Sequence, residues 1–241
     1  MAGLWRRVLC VWVCLAVSVS VLGSAASALG ASAVAAAPSA LPASRCSSQS
    51  YAYAGLFSNL AAGGIKATVT TLAAAQVRNG HVAGWIGVGG TNAGPGGAAE
   101  WLQTGVQKSA GGDTELYAET TRPGGSPTYQ TLVSDVRPGT PYRLEVVELA
   151  GQADVWQVWL DGRPATSPVS LPGSSHFEPM VMSESWNGGT PTCNGFDYRF
   201  GNLQIATSPG SWVGLTNTQT LSDTGYHITD RTLSGFTATS A

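Results

Sequence analysis

A chain of 241 residues with 11% charged side chains, a formal charge of −2 and 31 glycines has room for one large domain or two small ones. Its basic residues are scattered singly, with no basic stripe interleaved with aromatics, which argues against nucleic acid as a partner. Beyond the N-terminal segment, no stretch reaches the roughly 18 consecutive apolar residues that a spanning helix needs.

The N-terminus reads as an export signal. Arg6 and Arg7 make a positive start, residues 8–22 are apolar, and Ala26-Ser27-Ala28 has the small-residue pattern of a cleavage site. Ala31-Ser32-Ala33 is a second candidate, and cleavage sites placed directly after the apolar run argue against an uncleaved anchor. Residues 1–28 are therefore assigned to a signal peptide. Residues 29–45 are Ala, Ser and Pro with a single charge, the composition of a flexible linker or short pro-segment. One domain is expected over residues 46–241, secreted, extracellular, monomeric and without a membrane anchor. Cys10 and Cys14 leave with the signal, so Cys46 and Cys193 remain, and an even pair in an exported chain reads as a disulfide. Closing so long a loop would stabilise the fold by about 5 kcal/mol on a chain-entropy argument. Two distant cysteines with no histidine nearby lack metal-ligand spacing, so neither a metal nor another cofactor is expected.

Short strands separated by turns fill the rest. Residues 65–72 alternate with β-branched side chains, and Asn79-Gly80 is a turn signal before a strand at 82–88. A glycine-rich loop over 89–97 leads to strands at 100–106 and 115–121. Further strands are expected at 142–149, 155–160, 180–186 and 196–206, and near 219–221 and 232–239. Asp161-Gly162 reads as a hairpin turn. Many short strands with Gly/Pro turns and no helical period outside the signal indicate an all-β sandwich or barrel.

Several catalytic signatures are missing: there is no G-x-S-x-G elbow, H-E-x-x-H, phosphate loop or dinucleotide fingerprint. The histidines at 81, 176 and 227 are isolated, and His81, following a turn, is expected to be merely exposed. Asp223-Thr224-Gly225 reads as an ordinary turn. Strand alternation places residues i and i+2 on one face. It groups Trp101 with Gln103 and Gly105, Met180 with Met182, Glu184 and Trp186, Glu115 with Tyr117, Glu119 and Thr121, and Ala83 with Trp85 and Gly87. Aromatics beside a carboxylate or carboxamide fit a binding groove, and fit ordinary inward packing about as well.

Two segments carry a resemblance. The run Gly84-Trp85-Ile86-Gly87-Val88-Gly89-Gly90, a glycine-rich loop and then Glu100-Trp101-Leu102-Gln103-Thr104-Gly105-Val106 resembles the glutamic peptidases, the eqolisin family. Leu116-Tyr117-Ala118-Glu119, Gly139 to Tyr142 and Ser183-Glu184-Ser185-Trp186 extend it over most of the chain after residue 52. The resemblance implies a curved antiparallel β-sandwich of concanavalin or jelly-roll type, with a groove across one sheet and a polypeptide substrate. It implies Gln103 and Glu184 as the catalytic pair, with Trp85, Glu119 and Tyr117 lining the groove. Chemically, a carboxylate can take a proton from attacking water and return it to the leaving nitrogen. A carboxamide cannot ionise, but its N–H can donate to a developing oxyanion. Such a pair suits acidic conditions, since the carboxyl must exist in both forms. Two other readings stay open: a non-catalytic or carbohydrate-binding, lectin-like sandwich, and a glycosidase using Glu184 and Glu119 as its carboxyl pair.

Overall fold

The computed structural model describes residues 51–240 except 191–192 and 209, and of His176 only the backbone. The segment expected to be an export signal, the Ala/Ser/Pro segment and Cys46 lie outside the described residues. Among the described residues, sixteen strands run in chain order. The first eight are β1 (Ala52–Ser58), β2 (Gly64–Thr71), β3 (His81–Gly90), β4 (Glu100–Ser109), β5 (Thr114–Thr121), β6 (Thr128–Val133), β7 (Pro141–Glu148) and β8 (Val155–Leu160). The short pieces β9 (Arg163–Pro164) and β10 (Val169–Ser170) follow, then β11 (Pro179–Trp186) and β12 (Asp197–Ser208). The last four are β13 (Ser211–Gly214), β14 (Thr218–Ser222), β15 (Tyr226–Thr229) and β16 (Phe236–Ser240). Among the described residues, the helical pieces are single 3-10 turns at Pro95–Gly97 and Ser174–His176.

The strands form two antiparallel sheets. One has seven strands in the order β14-β1-β11-β3-β4-β5-β6. The other runs β10-β8-β7-β2-β12-β16-β15, with β13 beside β12 and β9 beside β8. Between them lies the main core, to which the first sheet gives Leu56, Val82, Ile86, Leu102, Val106, Leu116 and Val181 and the second Ile65, Val69, Leu144, Val146, Trp156, Val158, Tyr198 and Phe200. The expected all-β antiparallel sandwich is the fold observed.

Alternation decides which side chains leave this core. Val82, Ile86 and Val88 of β3 point inward, so His81, Ala83, Trp85 and Gly87 point out. Outward side chains on a flat sheet stay open to water. Here Trp85, Tyr117 and Met182 are only 6%, 1% and 3% exposed, and with Ala83 they form a second apolar cluster, against which Tyr53, Phe57, Met180 and Leu221 pack. The outer face of the seven-stranded sheet is thus a hollow with an apolar floor.

The strands expected from sequence are present, with ends shifted by a few residues. The last begins at Phe236, because Thr232 instead closes a tight turn with Gly235. The strand β1 was not expected from its A-Y-A-G-L-F-S sequence, whose small residues blur the alternation, yet it pairs with both β11 and β14. The edge strand β6 was not expected either, since its first four residues are exposed and polar or aromatic.

Candidate active site

Cross-strand register arranges the hollow in rows. The middle row runs Leu221, Gly55, Met182, Trp85, Gly105, Tyr117 and Thr131 across the seven strands. On one side lies the row of Tyr53, Glu184, Ala83, Gln107 and Glu115. On the other lies the row of Phe57, Met180, Gly87, Gln103, Glu119 and Tyr129. All five residues expected at the site, Gln103, Glu184, Trp85, Glu119 and Tyr117, therefore share this one face.

The structure does not join Gln103 to Glu184. Their strands β4 and β11 are separated by β3, and Glu184 pairs with Ala83 while Gln103 pairs with Gly87. Two strand spacings and four residues of offset put their Cα atoms roughly 16 Å apart. Each side chain instead turns toward the middle row from opposite sides. Gln103 Nε2 donates to the Tyr117 hydroxyl at 3.1 Å, and Trp85 Nε1 donates to Glu184 Oε2 at 3.0 Å. Gly105 lies between Trp85 and Tyr117, and a Cβ there would come within 2.6 Å of the Trp85 Cβ. The residues flanking Gln103 in its own row are Met180, across Gly87, and Glu119, directly opposite on β5.

Glu119 accepts from Trp101 Nε1 at 3.1 Å. Burial raises its pKa above the ordinary carboxylate range, and the charge of Glu184 pushes the same way; the Trp101 bond and His81 oppose them. Tyr117 holds its proton still more tightly, because it is fully buried between Glu184 and Glu119. At the far edge Glu115 behaves differently. Burial pushes its carboxyl up, but hydrogen bonds from Thr131, Tyr129 and Gln107 outweigh this and lower it.

His81 belongs to the site, contrary to its expected role as a merely exposed residue. Its Nε2 lies 3.2 Å from Glu184 Oε1, and its side chain is 22% exposed. The β3 register explains this, since His81 pairs with Trp186 and is one outward step beyond Ala83. Continuing the alternation of Ala83, Trp85 and Gly87 back by two residues would have found it. The rings of Tyr51 and Trp186, both partly exposed, lie 5.8 and 5.7 Å from the imidazole and 6.4 Å from each other, so the three form one cluster. The Asp223 turn is structural: Asp223 Oδ2 accepts from the Tyr53 N–H and its own N–H donates to the Tyr53 carbonyl. Among the described residues, no group of three or more His, Cys, Asp or Glu side chains could hold a metal ion.

The sequence matches no protein-family model and no curated protein. Solved structures do match. Scytalido-glutamic peptidase, in a complex with a peptide-based transition-state analogue, superposes with a TM-score of 0.58 at 13% identity, covering 79% of this chain and 98% of that one. The fold is shared with that peptidase. SCP-B, a member of the eqolisin family bound to the tripeptide Ala-Ile-His, gives a TM-score of 0.55 at 14% identity over the same shares of the two chains. An alginate lyase from Pseudomonas aeruginosa overlaps less, at a TM-score of 0.44 and 16% identity over 64% of this chain and 65% of that one.

Proposed function

We propose that this protein is an exported endopeptidase that holds an extended polypeptide in the hollow and hydrolyses it, under acidic conditions, with Glu184 and Gln103. The observation that carries this reading is that a carboxylate and a carboxamide turn from opposite sides toward one apolar row, with side-chain-free Gly105 between the two rings of that row. A peptide lying along it would meet both groups. Glu184 then takes a proton from water as the water attacks the scissile carbonyl, and delivers it to the leaving nitrogen. Gln103 Nε2–H leaves the Tyr117 hydroxyl and donates to the oxyanion. Glu119 stands beside Gln103 as a second carboxyl, protonated further up the pH scale than an ordinary glutamate. The fold shared with two peptidases crystallised with peptide-like ligands supports the choice of substrate. No helix among the described residues is long and apolar enough to cross a membrane. Export rests on the N-terminal segment, as does the Cys46–Cys193 disulfide, whose described half, Cys193, is buried. Digestion of a denatured protein between pH 2 and 6 tests the assignment: Glu184→Gln and Gln103→Ala should each abolish most cleavage while the far-ultraviolet circular dichroism stays that of wild type.

One observation favours a second reading. Glu184 and Glu119 sit on one aromatic-walled face, and burial, with the charge of Glu184 adding to it, raises the pKa of Glu119, as suits a carboxyl that acts as the acid of a glycoside-hydrolysing pair. Release of reducing ends from neutral or acidic polysaccharides, abolished equally by Glu119→Gln and Glu184→Gln, would select it over the peptidase.

A further inference from the structure

Glu184 carries the general acid/base role in the reading above, and a glutamate side chain has three rotatable bonds to be fixed before it can serve. Fixing them costs rotamer freedom. Two side chains hold it, one on each oxygen: Trp85 Nε1 donates to Oε2, and His81 Nε2 lies 3.2 Å from Oε1, where its N–H donates when the ring carries a proton on that nitrogen. His81 is itself held in place. The ring packs against Tyr51 and Trp186, which also stack on each other at 6.4 Å, and Tyr51 stacks on Tyr53 with centroids 6.1 Å apart. Behind it, the buried Asn194 side chain donates to the carbonyls of Asn79, His81 and Trp186 and accepts from the Arg78 N–H, clamping the start of β3 to the end of β11.

Of the groups facing His81, β1 and the residue before it bring Tyr53 and Tyr51, β11 brings Glu184 and Trp186, β4 brings Ser109 opposite, and the charge of Glu119 on β5 is felt across the hollow. None is cationic, so the carboxylates are the partners open to the imidazole. A histidine in such a frame does not drift in solvent. It presents Nε2–H to Glu184 whether the ring is neutral in that tautomer or protonated.

We propose that His81 is a positioning residue for Glu184: it acts through the carboxylate and fixes its orientation over the Trp85 row. This rests on the peptidase reading for its catalytic meaning, but the geometry has its own test. Nuclear magnetic resonance gives one, because the Trp85 indole N–H reports on Glu184 Oε2 and its cross-peak is identified by its loss in Trp85→Phe. His81→Phe keeps an aromatic ring packed against Tyr51 and Trp186 and removes the donor. His81→Gln restores an N–H at a similar reach. The Trp85 cross-peak should shift, and exchange faster with solvent, in His81→Phe, and return toward its wild-type position in His81→Gln. In a peptide-hydrolysis assay His81→Phe should lower kcat by about 10²-fold, the scale of a misplaced reacting group. KM should stay within about twofold, and His81→Gln should recover most of the rate. A Trp85 cross-peak unmoved in His81→Phe, or not restored in His81→Gln, overturns the inference whatever the activity. Wild-type protein with no peptide hydrolysis overturns the peptidase reading and leaves the resonance test of His81 intact.

Discussion

Trp85 has two roles that substitution can separate. Its ring is 6% exposed and packs in the apolar floor with Ala83, Tyr117 and Met182, while its N–H donates to Glu184. Trp85→Ala empties the floor, and loss of a buried aromatic of this size costs about 3–5 kcal/mol. At about 2–4 °C per kcal/mol for a domain near this size, the melting temperature should fall by about 6–20 °C. Trp85→Phe keeps most of the apolar contact and removes the donor, and a hydrogen bond to a charged acceptor contributes about 1.5–3 kcal/mol. Its melting temperature should drop by about 3–12 °C. A double-mutant cycle isolates the bond: Trp85→Phe and Glu184→Gln, singly and together, should show a coupling of about 1–2 kcal/mol in denaturant unfolding. Additive effects, or a Trp85→Ala protein melting within 2 °C of wild type, would refute the placement of Trp85 as both floor and anchor.

Other outcomes follow from single residues. The raised pKa of Glu119 means that the folded state holds its proton longer than the unfolded chain. Its contribution is therefore fully present below the ordinary glutamate range and is lost as pH rises through the raised value. Glu119→Gln should then melt above wild type at pH 7 and alongside it at pH 3, and a pH-independent difference between the two proteins would contradict this. Glu100 is fully buried with neither carboxyl oxygen hydrogen-bonded, and burial, with Asp154 adding to it, raises its pKa. Because the folded state holds the Glu100 proton longer than the unfolded chain, Glu100→Gln should raise the urea midpoint relative to wild type at pH 7 and not at pH 3; a difference that does not change with pH would count against it. A Cβ at Gly87 would lie 2.8 Å from the Gln103 Cβ, so Gly87→Ala should displace Gln103 and cut peptide hydrolysis at least tenfold, and a wild-type rate would show that Gln103 need not sit where it does. Intact mass of secreted protein should show Cys46 and Cys193 joined, whereas two alkylatable thiols would end the disulfide proposal.

Period-two alternation made the fold class legible, along with most strands from β2 onward; the common face of Trp85, Gln103, Tyr117, Glu119 and Glu184 followed only from the resemblance, because alternation alone fitted inward packing about as well. Alternation says which face a residue occupies, but not its register against the next strand. That is why the four-residue offset between Glu184 and Gln103, and the place of Met180 in the row of Gln103, could not be read from the sequence. It also misses strands whose side chains do not alternate in polarity, as in β1, where Ala and Gly pack closely between β11 and β14. From sequence His81 is expected to be merely exposed, because a residue directly after an Asn-Gly turn reads as loop. Here the strand starts at His81 itself, and the Asn194 side chain from a distant loop holds it there.

The pairing of Glu184 with Gln103 is tested most directly by peptide cleavage. A quenched fluorogenic peptide should be assayed at pH 2 to 6 with wild type, Glu184→Gln, Gln103→Ala, Gln103→Glu and Glu119→Gln, each confirmed folded by its melting curve. The account predicts cleavage by wild type, loss of at least about 10²-fold in Glu184→Gln and Gln103→Ala, and partial activity in Glu119→Gln. In Gln103→Glu the residual activity should follow a different pH dependence, because the oxyanion donor is gone and a carboxyl faces Glu119 directly across the strands. Wild-type rates in Glu184→Gln, or in Gln103→Glu across the whole range, would contradict it.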